Sequence, residues 1–383
     1  EAWAFFERQC RDTIRKTLES RIPDGAYESE DAVDGDGMSG RPFHVRMRLT
    51  KDGSRIAIDT RESDDQAKGP INFIMHESVP KLIIGIYLLS GHPTVLLNDG
   101  AQDAIDEVRV RPGSILQPHW PAPLGNRAHT LARVQSNVLA LLALATGGDV
   151  PASNSVYNIY FLRGFDRAQQ EFFLVSDGVA VGYGARPSAD GLDAIYYVAQ
   201  KNYPAEFMEM VFPMRLRQYG LHRDSGGPGR FRGGCGVVRE IELLADEAVI
   251  AIRQDNILFP PAGVNGGHAG RPGRCVVNPG RPDERVLPPM SDGNVLRRGD
   301  VVRLDTSGGG GWGNPLDRPI ERVRKDVLSG FISAESARED YGVVMDGSTG
   351  AVDAAETGRL RAAKRGPVRM FHRNGYFGPL VTP

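Results

Sequence analysis

Cysteine is scarce in this chain of 383 residues: only Cys10, Cys235 and Cys275 occur, far apart. Three widely separated thiols exclude a disulfide framework and point to a reducing cytoplasm. Neither a Cys-x-x-Cys nor a His-x-x-x-His pair is present, so no zinc motif of usual spacing is encoded. Long apolar runs are also missing. The longest, residues 82–89 and 138–145, fall far short of the roughly 18 residues that a membrane helix needs. Excess charge is absent too. A net charge of -2 gives no reason to expect nucleic acid as a partner. Residues 1–20 lack the basic start and apolar centre of a signal peptide. The first residue is Glu1 rather than Met, which predicts that the chain begins inside a longer polypeptide.

Glycine is what the chain has in abundance, 46 of them. Six fall within eleven residues, from Gly226 to Gly236, in Asp224-Ser-Gly-Gly-Pro-Gly-Arg-Phe-Arg-Gly-Gly-Cys-Gly236. Glycine costs chain entropy and contributes no side-chain packing. Such density is tolerated where a backbone turns with positive φ or comes very close to another group. The alternating run that follows, residues 237–244, predicts a strand. The loop is therefore either a binding loop carried by a rigid strand or a tight structural crossing. Two further loops share this character: Gly182-Tyr-Gly-Ala-Arg-Pro-Ser-Ala-Asp-Gly191 and Thr306-Ser-Gly-Gly-Gly-Gly-Trp-Gly-Asn-Pro315. Gly308 to Gly311 lack the spacing and lysine of a phosphate loop, and residues 226–233 do not fit a dinucleotide fingerprint. ATP binding by this chain is therefore not expected.

Periodicity supplies the frame. Residues 1–20 have helical spacing, and alternating runs at 43–49 and 55–60 flank a Lys51-Asp-Gly-Ser turn, a strong hairpin signal. Helices are predicted at 77–89 and 130–145, the latter stopped by Gly147-Gly148. Strands are predicted at 156–161, 171–175, 213–222, 237–244, 247–254 and 301–305. Short helices are predicted near 205–210, 319–329 and 334–341. The class is α+β, β-rich, with several glycine-rich loops and a few long helices. Three regions follow: an α+β region at 1–150 with the hairpin and two helices, a β-rich glycine-loop region at 151–345, and an irregular tail at 346–383.

The titratable residues have both chemical and structural readings. Arg232 is suited to clamp a carboxylate; equally, Asp224 caps its loop and Arg232 pairs with it. Asp190 suits a general base, or sits as a solvated charge. His129 begins a helix and reads more readily as a hydrogen-bonded structural residue than as a ligand.

The glycine loops taken together, with Asn202-Tyr-Pro-Ala-Glu206, Lys68-Gly-Pro-Ile-Asn72, Pro112-Gly-Ser114 and the residues 318–343, closely resemble the hydantoinase B/5-oxoprolinase family, in order, over about residues 20–345. The resemblance implies an ATP-dependent hydrolase of cyclic amides. An A-type subunit or domain would phosphorylate a small cyclic amide and this B-type chain would complete ring opening. The same architecture serves acetone carboxylase-like alpha subunits, and a non-catalytic structural role is a further reading. On this resemblance the catalytic candidates are Asp190, Asn202, Asp224, Ser225 and Arg232. The candidates for substrate contact are Gly184, Arg186, Gly226, Gly227, Gly233, Gly309, Gly310 and His129. Arg232 and the loop amides would hold an oxyanion or carboxylate. ATP would act through the partner. A divalent metal would sit in an N-terminal region bearing a Gly-Gly-Thr-His-x-x-Asp-like motif, which this sequence does not contain. His129 stands where glutamate is usual, and Tyr203 where threonine is common.

Overall fold

The Lys51-Asp-Gly-Ser turn forms as its sequence predicts, with Gly53 at φ 55° between two paired strands. The computed structural model describes residues 1–373 apart from 157, 168 and 197–200, in two compact units, 1–150 and 151–373. The first contains α1 (Ala2–Arg21), β1 (Gly25–Val33), β2 (Phe43–Asp52), β3 (Arg55–Asp59), α2 (Ser78–Leu88), β4 (Glu107–Arg109) and α3 (Arg127–Thr146). Its sheet runs β1-β2-β3-β4, antiparallel except for the parallel β3–β4 pair. Phe43, Val45, Met47 and Leu49 alternate along β2 and are buried on the sheet's inner face. Helix α3 packs against β1 and β2, and Gly147 ends it in the left-handed conformation at φ 66°.

Strand β1 has no obvious alternating signal because acidic residues crowd it. Those on its outer side find cations across the ladder. Glu30 meets Arg46 at 2.6 Å and His44 at 2.6 Å, and Glu28 meets Arg48 at 3.1 Å. Asp31 points inward to Arg133 of α3 at 3.2 Å, and Asp34 lies 3.7 Å from the same guanidinium.

The second unit contains β5 (Asn158–Asp166), β6 (Glu171–Val179), α4 (Ala205–Val211), β7 (Met214–Leu221), β8 (Val237–Leu243), β9 (Glu247–Arg253) and β10 (Gly263–Val264). It continues through β11 (Arg274–Val277), β12 (Arg285–Leu287), β13 (Met290–Arg297), β14 (Val301–Asp305), α5 (Ile320–Leu328), α6 (Ala334–Glu339), α7 (Ala354–Lys364) and β15 (Phe371–His372). Two antiparallel sheets, β12-β11-β14-β8-β7 and β13-β9-β5-β6, share one core. Tyr160, Leu162, Val175, Ile250 and Ile252 from one sheet join Ile241, Leu243, Val277, Val302 and Leu304 from the other. A small helical cluster on α5 and α6 buries Val323, Val327, Ile332, Ala337 and Tyr341.

The tail is not irregular as its sequence suggests. Helix α7 is capped by the Asp353 carboxylate, which accepts the Glu356 N–H at 2.9 Å, and β15 pairs with β10. Helix α7 buries little beyond Thr357, so it lacks the apolar stripe that would reveal it. Residues 374–383 of the expected tail, and Tyr157 of the expected first strand, lie outside the described residues. No helix among the described residues is long and apolar enough to cross a membrane.

Candidate functional site

Four glycine-bearing segments meet in the second unit. Three are the loops singled out by sequence; the fourth is residues 263–270. They interlock backbone to backbone. A Cβ on Gly182 would lie 1.9 Å from the Gly234 carbonyl oxygen; one on Gly233 would lie 2.0 Å from that of Gly309. On Gly309 it would meet Tyr183 at 2.2 Å, and on Gly310 the Ala262 carbonyl at 2.0 Å. None of these four residues has a positive φ. Glycine is needed here for close approach and not for turning.

The amides inside this lattice are consumed by it. Gly227 N–H donates to Gly309 O at 2.8 Å, Gly309 N–H to Gly234 O at 2.9 Å, and Gly310 N–H to Ser153 O at 2.9 Å. Gly233 N–H donates to Gly227 O at 2.8 Å, Gly311 N–H to His268 O at 2.8 Å, and Gly184 N–H to the Asn154 side chain at 2.9 Å. A Cβ on Gly226 would lie 2.1 Å from the Gly233 carbonyl oxygen. The expectation that the loop amides hold an oxyanion is thus corrected for the six amides of Gly184, Gly227, Gly233, Gly309, Gly310 and Gly311. An N–H bonded to a buried carbonyl offers nothing to a ligand without breaking the lattice.

The expected catalytic residues other than Asn202 lie within or beside this lattice. The Asp190 carboxylate receives Arg318 through two bonds, at 2.7 and 2.9 Å, and the Arg232 N–H at 2.8 Å. Arg318, 1% exposed, also donates to Asp326 at 2.7 and 3.0 Å. Arg232, 3% exposed, does not pair with Asp224. It donates to Asp193 at 3.0 Å and to its neighbour's carbonyl, Gly233 O, at 2.6 Å, with its guanidinium over the Phe331 ring at 4.6 Å. Asp193 also accepts the Cys235 N–H at 2.6 Å. Burial alone would raise the Asp190 pKa, but the Arg318 hydrogen bonds and charge, helped by Arg232, leave it below the ordinary carboxylate range. Burial pushes the Cys235 thiol up to about 11, against the pull of Arg232, so it is an inert thiol at neutral pH.

Asp224 has φ 64°, and its carboxylate accepts the Ser333 N–H at 2.6 Å at the start of α6. Ser225 Oγ donates to His222 O at 2.6 Å and accepts the Gly236 N–H at 2.9 Å, fully buried. Asn202 belongs to a second cluster. Its amide donates to Gly178 O at 2.7 Å and accepts Tyr219 Oη–H at 2.5 Å, beside the Asp177–Arg239 ion pair at 2.5 Å. Arg186 is exposed and reaches the Asp190 carbonyl at 3.3 Å. His129 is buried on α3 in the other unit.

The structure therefore brings Asp190 and Arg232 together and adds three residues not expected in the site: Asp193, and also Arg318 and Asp326, which the sequence marks only through the family resemblance of residues 318–343. Arg318 follows Asn314-Pro315 and lies 128 positions from Asp190, so no local pattern announces the pairing.

The hydantoinase B/oxoprolinase profile matches residues 1–315, most of the chain. The chain belongs to that family. It is 30% identical over 379 residues to a candidate B-type component of a D-/L-hydantoinase from Pseudomonas sp. (strain NS671), covering 94% of this chain and 62% of that one. It is 27% identical to the beta subunit of the caprolactamase of Pseudomonas jessenii, over 93% of this chain and 63% of that one. A crystal structure of ATP-dependent caprolactamase from the same organism superposes with a TM-score of 0.75 at 26% identity, over 93% of this chain and 63% of that one. The chain thus spans a little over three-fifths of the length of these relatives.

For this hydantoinase B/oxoprolinase chain, the residues present decide what it can hold. Among the described residues, no group of three or more His, Cys, Asp or Glu side chains could hold a metal ion. Nor does the Gly308-to-Gly311 run suit a phosphate group, since Gly308 N–H also donates to a carbonyl, that of Arg271 at 3.3 Å.

Proposed function

We propose that this chain is the B-type part of an ATP-dependent cyclic-amide hydrolase and works with an A-type, ATP-using partner. The single observation that carries the division of labour is that the amides of Gly184, Gly227, Gly233, Gly309, Gly310 and Gly311 are all taken up by other groups of the chain. A chain whose glycine-rich loops are closed to phosphate is suited to receive an activated amide and not to make one. The choice of reaction is supported by the identity to a hydantoinase component and to a caprolactamase component, whose named substrates are both cyclic amides.

An amide carbonyl is a poor electrophile because nitrogen donates into it. Phosphorylation of its oxygen by the partner removes that resonance. Water then adds at carbon, the C–N bond opens to release the amine or ureido nitrogen and leave an acyl phosphate, and a second water displaces the phosphate to leave the carboxylate. The Asp190–Arg318–Asp326–Arg232–Asp193 network and Asp224 position the loops for this step; Asn202 and Ser225 are likewise positioning residues, each fully engaged by protein groups. Arg186 is exposed and suited to substrate contact.

The test is reconstitution of the full natural polypeptide with its A-type partner on hydantoin, 5-oxoproline and caprolactam. Ring opening that requires ATP and both polypeptides is expected. Opening without ATP, or none on any cyclic amide, overturns the proposal. A second reading rests on 27% identity to the acetophenone carboxylase delta subunit of Aromatoleum aromaticum, over 95% of this chain and 60% of that one. Ketone- and bicarbonate-dependent ATP turnover would select it.

A further inference from the structure

At the edge of the glycine lattice, beside Gly266, His268 and Asn314, the second unit carries a cleft of about 390 Å³, a volume suited to a small molecule. The His268 and His372 rings line it and stack, with centroids 4.5 Å apart and planes at 23°. His372 Nδ1 accepts the Ala269 N–H at 3.2 Å, which places the ring proton on Nε2. Burial, then the neighbouring His268 and Arg369, push His372 down to about 4, and burial lowers His268. Both rings are therefore neutral at pH 7.

Pro315, Leu316, Pro367 and Val368 give the cleft an apolar surface, while both signs of charge line it. Lys364 is occupied by Glu339, at 2.7 Å from its carbonyl and 3.3 Å from its carboxylate. The Arg369 side chain makes no hydrogen bond or ion pair among the described residues. Asp340 accepts the Ser336 hydroxyl through Oδ2 at 2.7 Å, with Arg271 3.8 Å away. A guanidinium unengaged among the described residues, one half-buried carboxylate and an apolar surface suit a ligand with a carboxylate, an N–H donor and a short carbon chain.

Hydrolysis of a cyclic amide creates such a molecule. The ring is uncharged; water added across its C–N bond leaves a carboxylate and an amine or ureido nitrogen. We infer that this cleft binds a small amino- or ureido-carboxylate, the class of the ring-opened product, in preference to the cyclic amide. Its carboxylate meets Arg369, its nitrogen donates to Asp340, and its chain lies against Leu316 and Val368. The identity of the ligand as product rests on the proposed function; the preference of the cleft for an open over a cyclic molecule does not.

The test is calorimetric titration of the full polypeptide with its partner, using 6-aminohexanoate against caprolactam and N-carbamoylglycine against hydantoin. An open molecule should bind at least tenfold more tightly than its ring. Arg369→Glu should weaken it at least tenfold. Val368→Trp, a cleft-filling change at a position 59% exposed, should do the same without shifting the melting temperature. Equal affinity for ring and open form, no binding of either, or indifference to both variants overturns the inference. Turnover measured on the same preparations separates the two ideas. Turnover without the binding preference removes the cleft and leaves the proposed function. Binding preference without turnover removes the proposed function and leaves the cleft.

Discussion

The two halves of the second unit are packed by opposite means. The sandwich core is filled by side chains such as Tyr160, Leu162, Ile250 and Leu304, with a residual void of about 10 Å³ among them. The glycine lattice has no side chains to rearrange. Its atoms are main chain, and an added Cβ would stand 1.9 to 2.2 Å from a carbonyl group at Gly182, Gly233 and Gly309. A side-chain core absorbs small volume changes by rotamer shifts. A backbone lattice has no such freedom, so its tolerance to substitution is far lower although nothing in it is large or apolar.

That contrast predicts the largest effect at the smallest change. Gly309→Ala should cost more than about 3 kcal/mol, beyond ordinary overpacking, because the contact is with main chain that cannot step aside. Ile250→Val in the sandwich, also one carbon different, should cost about 1 kcal/mol. Thermal or urea unfolding of the two variants side by side measures both. A Gly309→Ala protein as stable as Ile250→Val would end the comparison.

Beside the lattice, the ion network is comparably costly to disturb. Arg318→Ala strands Asp190 and Asp326 without their shared guanidinium, and loss of one member of a buried pair costs about 3–5 kcal/mol. Arg318→Lys should recover little, because a single ammonium cannot reproduce bonds to both oxygens of Asp190 and one of Asp326. Urea midpoints decide it; full stability in the lysine variant would show that charge alone suffices.

The same network gives a pH signature. The folded-state pKa of Asp190 is depressed, so its contribution is present above the ordinary carboxylate pKa and is lost as pH falls through the folded value. Stability should decline from about pH 4 downward, the range of an unperturbed aspartate. Asp190→Asn should be less stable at pH 7 and show a shallower acid decline. Parallel slopes for the two proteins between pH 5 and 3 would assign the acid sensitivity elsewhere.

Local patterns and long-range contacts differ in how far they could be read in advance. The hairpin at Gly53, helix α3 with its Gly147 stop and strands β8, β9 and β14 follow from periodicity and turn chemistry. The density of glycine is visible too, but not its use. Whether a glycine turns the chain or lets another strand of chain approach depends on segments over a hundred residues away, such as Tyr183 against Gly309. Asp193 escapes notice for the same reason, and Arg318 is marked by the family resemblance without a role: each looks like a surface charge until its partner is placed. Strand β1 is hidden by carboxylates whose cations lie on β2, and α7 by the lack of an apolar face.

Helix α7 also supplies the smallest and opposite prediction. Gly358 sits inside it, exposed, and a Cβ there would find nothing within 4 Å. The residue keeps the glycine penalty of a flexible unfolded chain without the close approach that justifies it in the lattice. Gly358→Ala should therefore stabilise the protein by about 0.5–1 kcal/mol. The same substitution, glycine to alanine, is thus expected to carry opposite signs at positions 309 and 358. Two unfolding curves measure it. A destabilised Gly358→Ala would mean that α7 is covered by another surface in solution or that its helix is set by contacts beyond its own backbone.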